Sequence, residues 1–289
     1  MLHIGIAGFS YEDWKGKVYP ARGVDPLAFC ARYVPLIEIN SSFYRTPSPE
    51  TVLDWVERTA PSGTRFTVKL GRLFTHERRL APAEVAAFRE ALLPLSAAGR
   101  LCAVLAQFPF SFTAGARGRD WLARVVDTFA PSAHVAVEVR SATWQSDEAL
   151  AFLRERGASL VHLDYPARPG WFDPAFPGID DGGLAYFRLH GRNAEAWGRR
   201  DAERDELYDW NYSAAEVDDV VLRLREIVAR ARTTLVVANN HFEGKAMKLA
   251  LELTAAVERR KVAVPELLLA TYPDLARIAS GAGQGRLFR

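Results

Sequence analysis

Short apolar runs recur along the chain, separated by amphipathic stretches. Eight of these runs, at 3–9, 36–43, 65–70, 101–108, 134–140, 159–165, 184–191 and 233–240, read as strands. Most are rich in β-branched or aromatic residues, which pack well on a pleated surface. The stretches between them carry helical periodicity and start signals. Residues 25–34 open with Asp then Pro, and 48–60 with Ser then Pro. Further helices are expected at 81–99, 117–130, 146–157, 213–231 and 243–260. Eight strands alternating with helices over about 250 residues is the count of a (β/α)8 TIM barrel. A doubly wound open sheet is the alternative. No linker or compositional break divides the chain. The expectation is therefore one α/β domain over 1–289, with a core at 1–262 and a tail at 263–289. In that tail a short helix is expected to pack under the barrel before the chain frays at 280–289.

Alternation along each strand sorts side chains onto two faces. In the fifth strand Val135, Val137 and Val139 share one face, while Ala136, Glu138 and Arg140 share the other. In the seventh, Tyr186, Arg188 and His190 point one way. Glu38 and Asn40 share a face in the second strand. Lys69 ends the third, Gln107 the fourth, Asp164 the sixth, and Asn239 and Asn240 the eighth. Seven strands thus end in polar or charged groups, at the end where barrel enzymes do their chemistry. If the strands close, Glu38, Glu138 and Asp164 face Lys69, Arg140, Arg188 and His190 across one cavity.

Composition narrows the functional classes. The 289 residues carry a net charge of +2, with a pI near 8.5. A dedicated nucleic-acid binder is usually far more basic. Cys30 and Cys102 lie in apolar runs with no metal-spaced neighbours and read as reduced thiols. No signal-peptide pattern opens the chain and no apolar stretch approaches membrane-spanning length, so the expectation is a cytoplasmic protein with no membrane partner.

The polar strand ends also lie in longer motifs. "GFSYEDWKGKVYP" (8–20), "EINSSFYRTPSPETVLDWVERT" (38–59), "FTVKLGRLFTHERRL" (66–80), "VEVRSATW" (137–144), "YFRLHGR" (186–192) and "VANNHFEGKAMKLAL" (237–251) occur in order. Together they resemble the domain of unknown function 72 family, also called YecE-like, over essentially residues 1–260. The resemblance implies a TIM barrel and no established reaction.

Glu38, Glu138, Asp164 and His190 are the candidate catalytic groups, as carboxylate and imidazole acids and bases. Arg140 beside Glu138 is expected to lower the pKa of that carboxyl. Asn40, Tyr44, Lys69, His76, Gln107, Arg140, Trp144, Arg188, Asn239 and Asn240 are the candidate binding residues, with the cations for an anionic group and the aromatics as platforms for a ring. Three cations against three carboxylates bind an anion only if the acids are paired off locally. Neither GxGxxG nor GxxxxGK[ST] is present, so no nucleotide cofactor is indicated. A metal site is not favoured, because the cations would repel it. The expected protein is a metal-independent, cofactor-free hydrolase or lyase acting on a small anionic or sugar-like molecule. The alternatives are a metal-dependent, endonuclease-IV-like phosphodiesterase that binds nucleic acid, or a barrel that binds a ligand without turning it over.

Overall fold

Every strand pairing is parallel. β1 (Leu2–Ala7), β2 (Leu36–Ile39), β3 (Arg65–Lys69), β4 (Leu101–Gln107) and β5 (Val135–Glu138) follow one another around the sheet. β6 (Ser159–Leu160) pairs with β5, and β7 (His162–Asp164) pairs with β8 (Leu184–Leu189). β9 (Thr233–Ala238) lies between β8 and β1. β6 and β7 are two halves of the single strand expected at 159–165. The first half bonds to β5 and the second to β8, so one stretch of chain closes a nearly complete parallel barrel of the TIM type. The open sheet is thereby excluded. The computed structural model describes residues 1–178, 183–199 and 201–280.

The helices begin where their caps require. Asp25 accepts from the backbone N–H groups of Leu27 and Ala28, and Pro26 opens the helix Pro26–Ala31. Ser48 caps Pro49–Arg58 and Ser146 caps Asp147–Glu155. Ser213 and Glu216 form a capping box at the start of Ala214–Arg230. Pro82–Ala97, Ala116–Phe129 and Lys245–Glu258 complete the expected set. Their apolar stripes meet the outward faces of the strands, where Val135, Val137 and Val139 are buried.

Two connections position the site. The segment 166–178 buries Phe172, and the connection 191–212 contains the short helices Ala194–Gly198 and Arg204–Leu207. Arg199, at the start of the charged run 199–204, pairs with Glu206 on the second of them. Trp197, Tyr208 and Tyr165 roof one side of the barrel mouth. The tail differs from expectation. Its helix, Glu266–Thr271, does not close the underside. Thr271 donates to the carbonyl of Lys17 (3.3 Å) and Tyr272 to that of Glu243 (2.9 Å), so its far end ties to the loops after β1 and β9. The fraying expected toward 289 lies, from residue 281 on, outside the described residues.

Candidate functional site

Register decides which strand-end groups enter the barrel. β2 and β3 pair with Glu38 opposite Thr67, β4 and β5 with Gln107 opposite Glu138, and β8 and β9 with Arg188 opposite Val237. Glu38, Thr67, Tyr186 and Arg188 therefore meet inside, all of them buried. Arg188 is the hub. Its Nε and Nη2 grip the two oxygens of Glu38 at 3.0 and 2.7 Å, and its Nη1 donates to Glu138 Oε2. Tyr186 donates to Glu38 Oε2 at 2.6 Å and lies 2.8 Å from the Thr67 hydroxyl. Arg140 pairs with Glu138 through its Oε1. The Arg140 guanidinium also lies against the rings of Tyr165 and Trp197, 4.9 and 5.2 Å from their centroids, and the two rings stack on each other at 5.6 Å.

These contacts set protonation. Burial pushes the Glu138 carboxyl up, but the Arg140 and Arg188 guanidiniums outweigh it and hold the group well below the usual carboxylate range. Burial, with Arg140 adding to it, drives His190 down to about 3 against the pull of Glu138. His190 is thus neutral. Its Nε2 lies 3.0 Å from Arg140 Nη2, and a guanidinium can only donate. Nε2 also lies 3.3 Å from Glu138 Oε1, and the Asn239 side-chain amide nitrogen lies 2.9 Å from Nδ1, so both ring nitrogens are engaged inside the network.

In front of this network lies a cavity of about 650 Å³, lined among others by Asn40, Phe43, Lys69, Gln107, Arg188 and Asn239. Glu38, Glu138, Arg140 and His190 do not line it: Arg188 stands before the carboxylates, and the aromatic roof covers the rest. Lys69 does line it. Its ammonium sits 4.4 Å from the centre of the Phe43 ring, and no carboxylate pairs with it among the described residues. Burial, reinforced by Arg188 and opposed by Glu38 and Glu138, lowers its pKa to about 8. Asn40 Oδ1 is buried without a hydrogen-bond partner. With two carboxylates answered by two arginines, Lys69 leaves the cluster one positive charge in excess.

Several expected residues lie elsewhere. Asp164 is opposite Leu189 in the register, on the face away from Arg188. Outside the barrel it binds Arg192 (2.7 Å), Arg223 (2.9 Å) and the Tyr212 hydroxyl (2.6 Å), so it does not share the cavity. Trp144 is buried against Phe112, its indole N–H on the Phe112 carbonyl at 2.8 Å, and serves packing. His76 touches the edge of Phe43 rather than the cavity, and burial with nearby Lys69 lowers it to about 4. Asn240 donates to the Trp210 carbonyl at 2.9 Å, tying β9 to the roof. Tyr44 stands at the cavity rim, 75% exposed.

One wall was not anticipated. The His241 ring stacks on Tyr11 at 4.6 Å and lies 5.0 Å from Tyr208, and all three line the cavity. Tyr11 belongs to the 8–20 motif, whereas Tyr208 sits in a long connection with no periodicity to mark it. Among the described residues no group of three or more His, Cys, Asp or Glu side chains is arranged to hold a metal ion. Cys30 and Cys102 are free thiols, and burial raises the pKa of both. No helix of the described residues is long and apolar enough to cross a membrane.

Comparison with known proteins gives a consistent result. The model of the family described as "Protein of unknown function DUF72" matches residues 3–273. The UPF0759 protein YunF of Bacillus subtilis is 26% identical over 261 residues, covering 85% of this chain and 91% of that one. The UPF0759 protein YecE of Escherichia coli is 29% identical over 180 residues, 58% of this chain and 62% of its own. The crystal structure of a DUF72 family protein from Thermotoga maritima superposes with a TM-score of 0.78 at 32% identity, over 89% of this chain and 99% of that one.

Proposed function

From the premise that this chain belongs to the DUF72 family, whose description assigns no activity, we propose that it is an enzyme acting on a small anionic or sugar-like molecule bound at the C-terminal mouth of the barrel. One observation carries the reading: Lys69 lines the cavity with no carboxylate paired to it among the described residues, while arginines occupy Glu38 and Glu138. The acids are paired off locally, and the remaining charge favours an anion. Asn40, Gln107 and Asn239 supply polar contacts suited to hydroxyl groups, and the Tyr11–His241–Tyr208 wall offers a ring face.

Elimination suits the geometry better than hydrolysis. Glu38 and Glu138 are held behind Arg188, where neither reaches a water in the cavity, whereas the wall presents an amine of lowered pKa. The reaction class is thus a lyase, and the acid–base role moves from the buried carboxylates to Lys69.

Thermal shift and calorimetric titration with inorganic phosphate, pyruvate and dihydroxyacetone phosphate test the binding. At pH 7 at least one of them should bind and raise the melting temperature. Lys69→Met should weaken that binding about tenfold or more, since hydrogen bonds to charged groups contribute roughly 1.5–3 kcal/mol. Binding should fade as the pH rises through about 8. Equal affinity in Lys69→Met would sink the reading. Binding without turnover of any related compound would favour a non-catalytic barrel.

A further inference from the structure

Only six of the 37 basic residues in the chain are lysines. Four of the six are in ion pairs: Lys15 with Glu12, Lys17 with Glu243, Lys245 with Asp209 and Lys248 with Glu252. Lys261 is exposed on the surface. Lys69 alone among them lines the cavity at the barrel mouth, and no carboxylate neutralises it among the described residues. Arginine is the ordinary choice for binding an anion permanently, because it never loses its proton. In a chain that uses arginine almost everywhere, a lysine at this position offers what arginine cannot, a nucleophilic nitrogen.

Resting on the anion-site reading above, we propose that Lys69 is an imine-forming nucleophile toward the carbonyl group of a small oxo acid or keto-sugar phosphate. The surroundings fit each part of that chemistry. Arg188 spends three of its five N–H groups on Glu38 and Glu138, which leaves two on a residue that lines the cavity for the anionic group. Asn40 Oδ1, buried without a partner, accepts the hydroxyl proton of a tetrahedral adduct. The Phe43 ring beneath the Lys69 nitrogen supports a cation there, whether ammonium or iminium. The lowered pKa supplies the reactive form: with a value near 8, about a tenth of the amine is uncharged at pH 7, against fewer than about one in a thousand for an ordinary lysine.

The step balances without an oxidant or a second reactant. The ammonium first yields one proton to solvent. The nitrogen lone pair then forms a C–N bond to the carbonyl carbon, the π pair moves to oxygen, and one proton passes from the nitrogen to that oxygen. The proton first given to solvent is taken back by the hydroxyl, which leaves as water as the nitrogen lone pair closes on carbon, so the C–O bond breaks and a protonated imine remains. The iminium keeps one positive charge where the ammonium stood. It draws electrons from the adjacent carbon, which is what elimination or carbon–carbon cleavage of such a substrate requires.

The test treats the protein at pH 7.5 with pyruvate or dihydroxyacetone phosphate in the presence of sodium cyanoborohydride, and maps adducts by peptide mass. Calorimetry with the same two probes and with inorganic phosphate runs in parallel. The expected result is a reduced adduct on the peptide containing Lys69, suppressed by phosphate and absent from Lys69→Arg, with Lys261 labelled no more than an exposed lysine should be. Binding of any of the three probes without a selective Lys69 adduct overturns the imine and leaves the anion site standing. Failure of all three to bind overturns the anion site and this inference with it.

Discussion

Arg188 holds two carboxylates delivered by two other strands, and it does so with both of them fully buried. Removing one partner from such a cluster leaves charges in a low-dielectric interior without compensation, which typically costs about 3–5 kcal/mol. Arg188→Met should therefore lose stability of that order in urea unfolding, and adding Glu38→Gln and Glu138→Gln should recover part of it. A single variant within about 1 kcal/mol of the parent would show that the cluster contributes little. The members of this cluster were legible in the sequence, because alternation alone puts Glu38, Glu138, Arg140 and Arg188 on inward faces. Asp164 was not. The rule that a polar strand end faces the cavity ignores parity, and in the observed register Asp164 stands opposite Leu189, on the outer side, where Arg192 and Arg223 neutralise it.

At the scale of elements, β1 packs unusually close to its neighbour. A Cβ on Gly5 would lie 1.8 Å from the backbone carbonyl oxygen of Leu36, which no side-chain movement relieves. Gly5→Ala should force β1 and β2 out of register at a cost beyond the roughly 1–3 kcal/mol of ordinary overpacking. A soluble variant with parental melting temperature would contradict this. Helices were the most legible elements, because caps such as Asp25, Ser48 and Ser213 are local devices that act within one turn. The division of the sixth strand into β6 and β7 was invisible. It arises from which neighbour each half bonds to, and that depends on barrel closure. The tail helix was expected from its composition, but its docking depends on contacts 254 residues away in sequence for the loop after β1 and 29 away for the loop after β9.

For the whole molecule, His190, His76 and Lys69 are among the groups that shape stability against pH, and burial lowers His3 and His134 in the same direction as the first two. His190 and His76 have folded pKa values near 3 and 4, below the 6.5 of an unfolded histidine. Between pH 4 and 6.5 the unfolded chain therefore binds more protons, so stability is complete above 6.5 and is lost as the pH falls. Buried His190 should account for a loss of about 3 kcal/mol by pH 4, half-exposed His76 adds less than its shift implies because solvent screens it, and a flat urea midpoint from pH 7 to 5 would refute it. Lys69 acts at the other end. Its folded value near 8 lies below the ordinary 10.5, so its own contribution to stability rises with pH across that interval, against the fall contributed by the raised Cys30 and Cys102 thiols, and Lys69→Met should remove that contribution. By itself the sequence determined the alternating barrel, the family and the convergence of charged groups at one end of it. Each of these follows from local periodicity and motif order. Only the tertiary structure decided which charges neutralise one another, which stand outside the barrel, and that Lys69 is left over in front of the cavity. Pairing is a competition among all charges within a few ångströms, and those distances exist only once the strands have closed in one register.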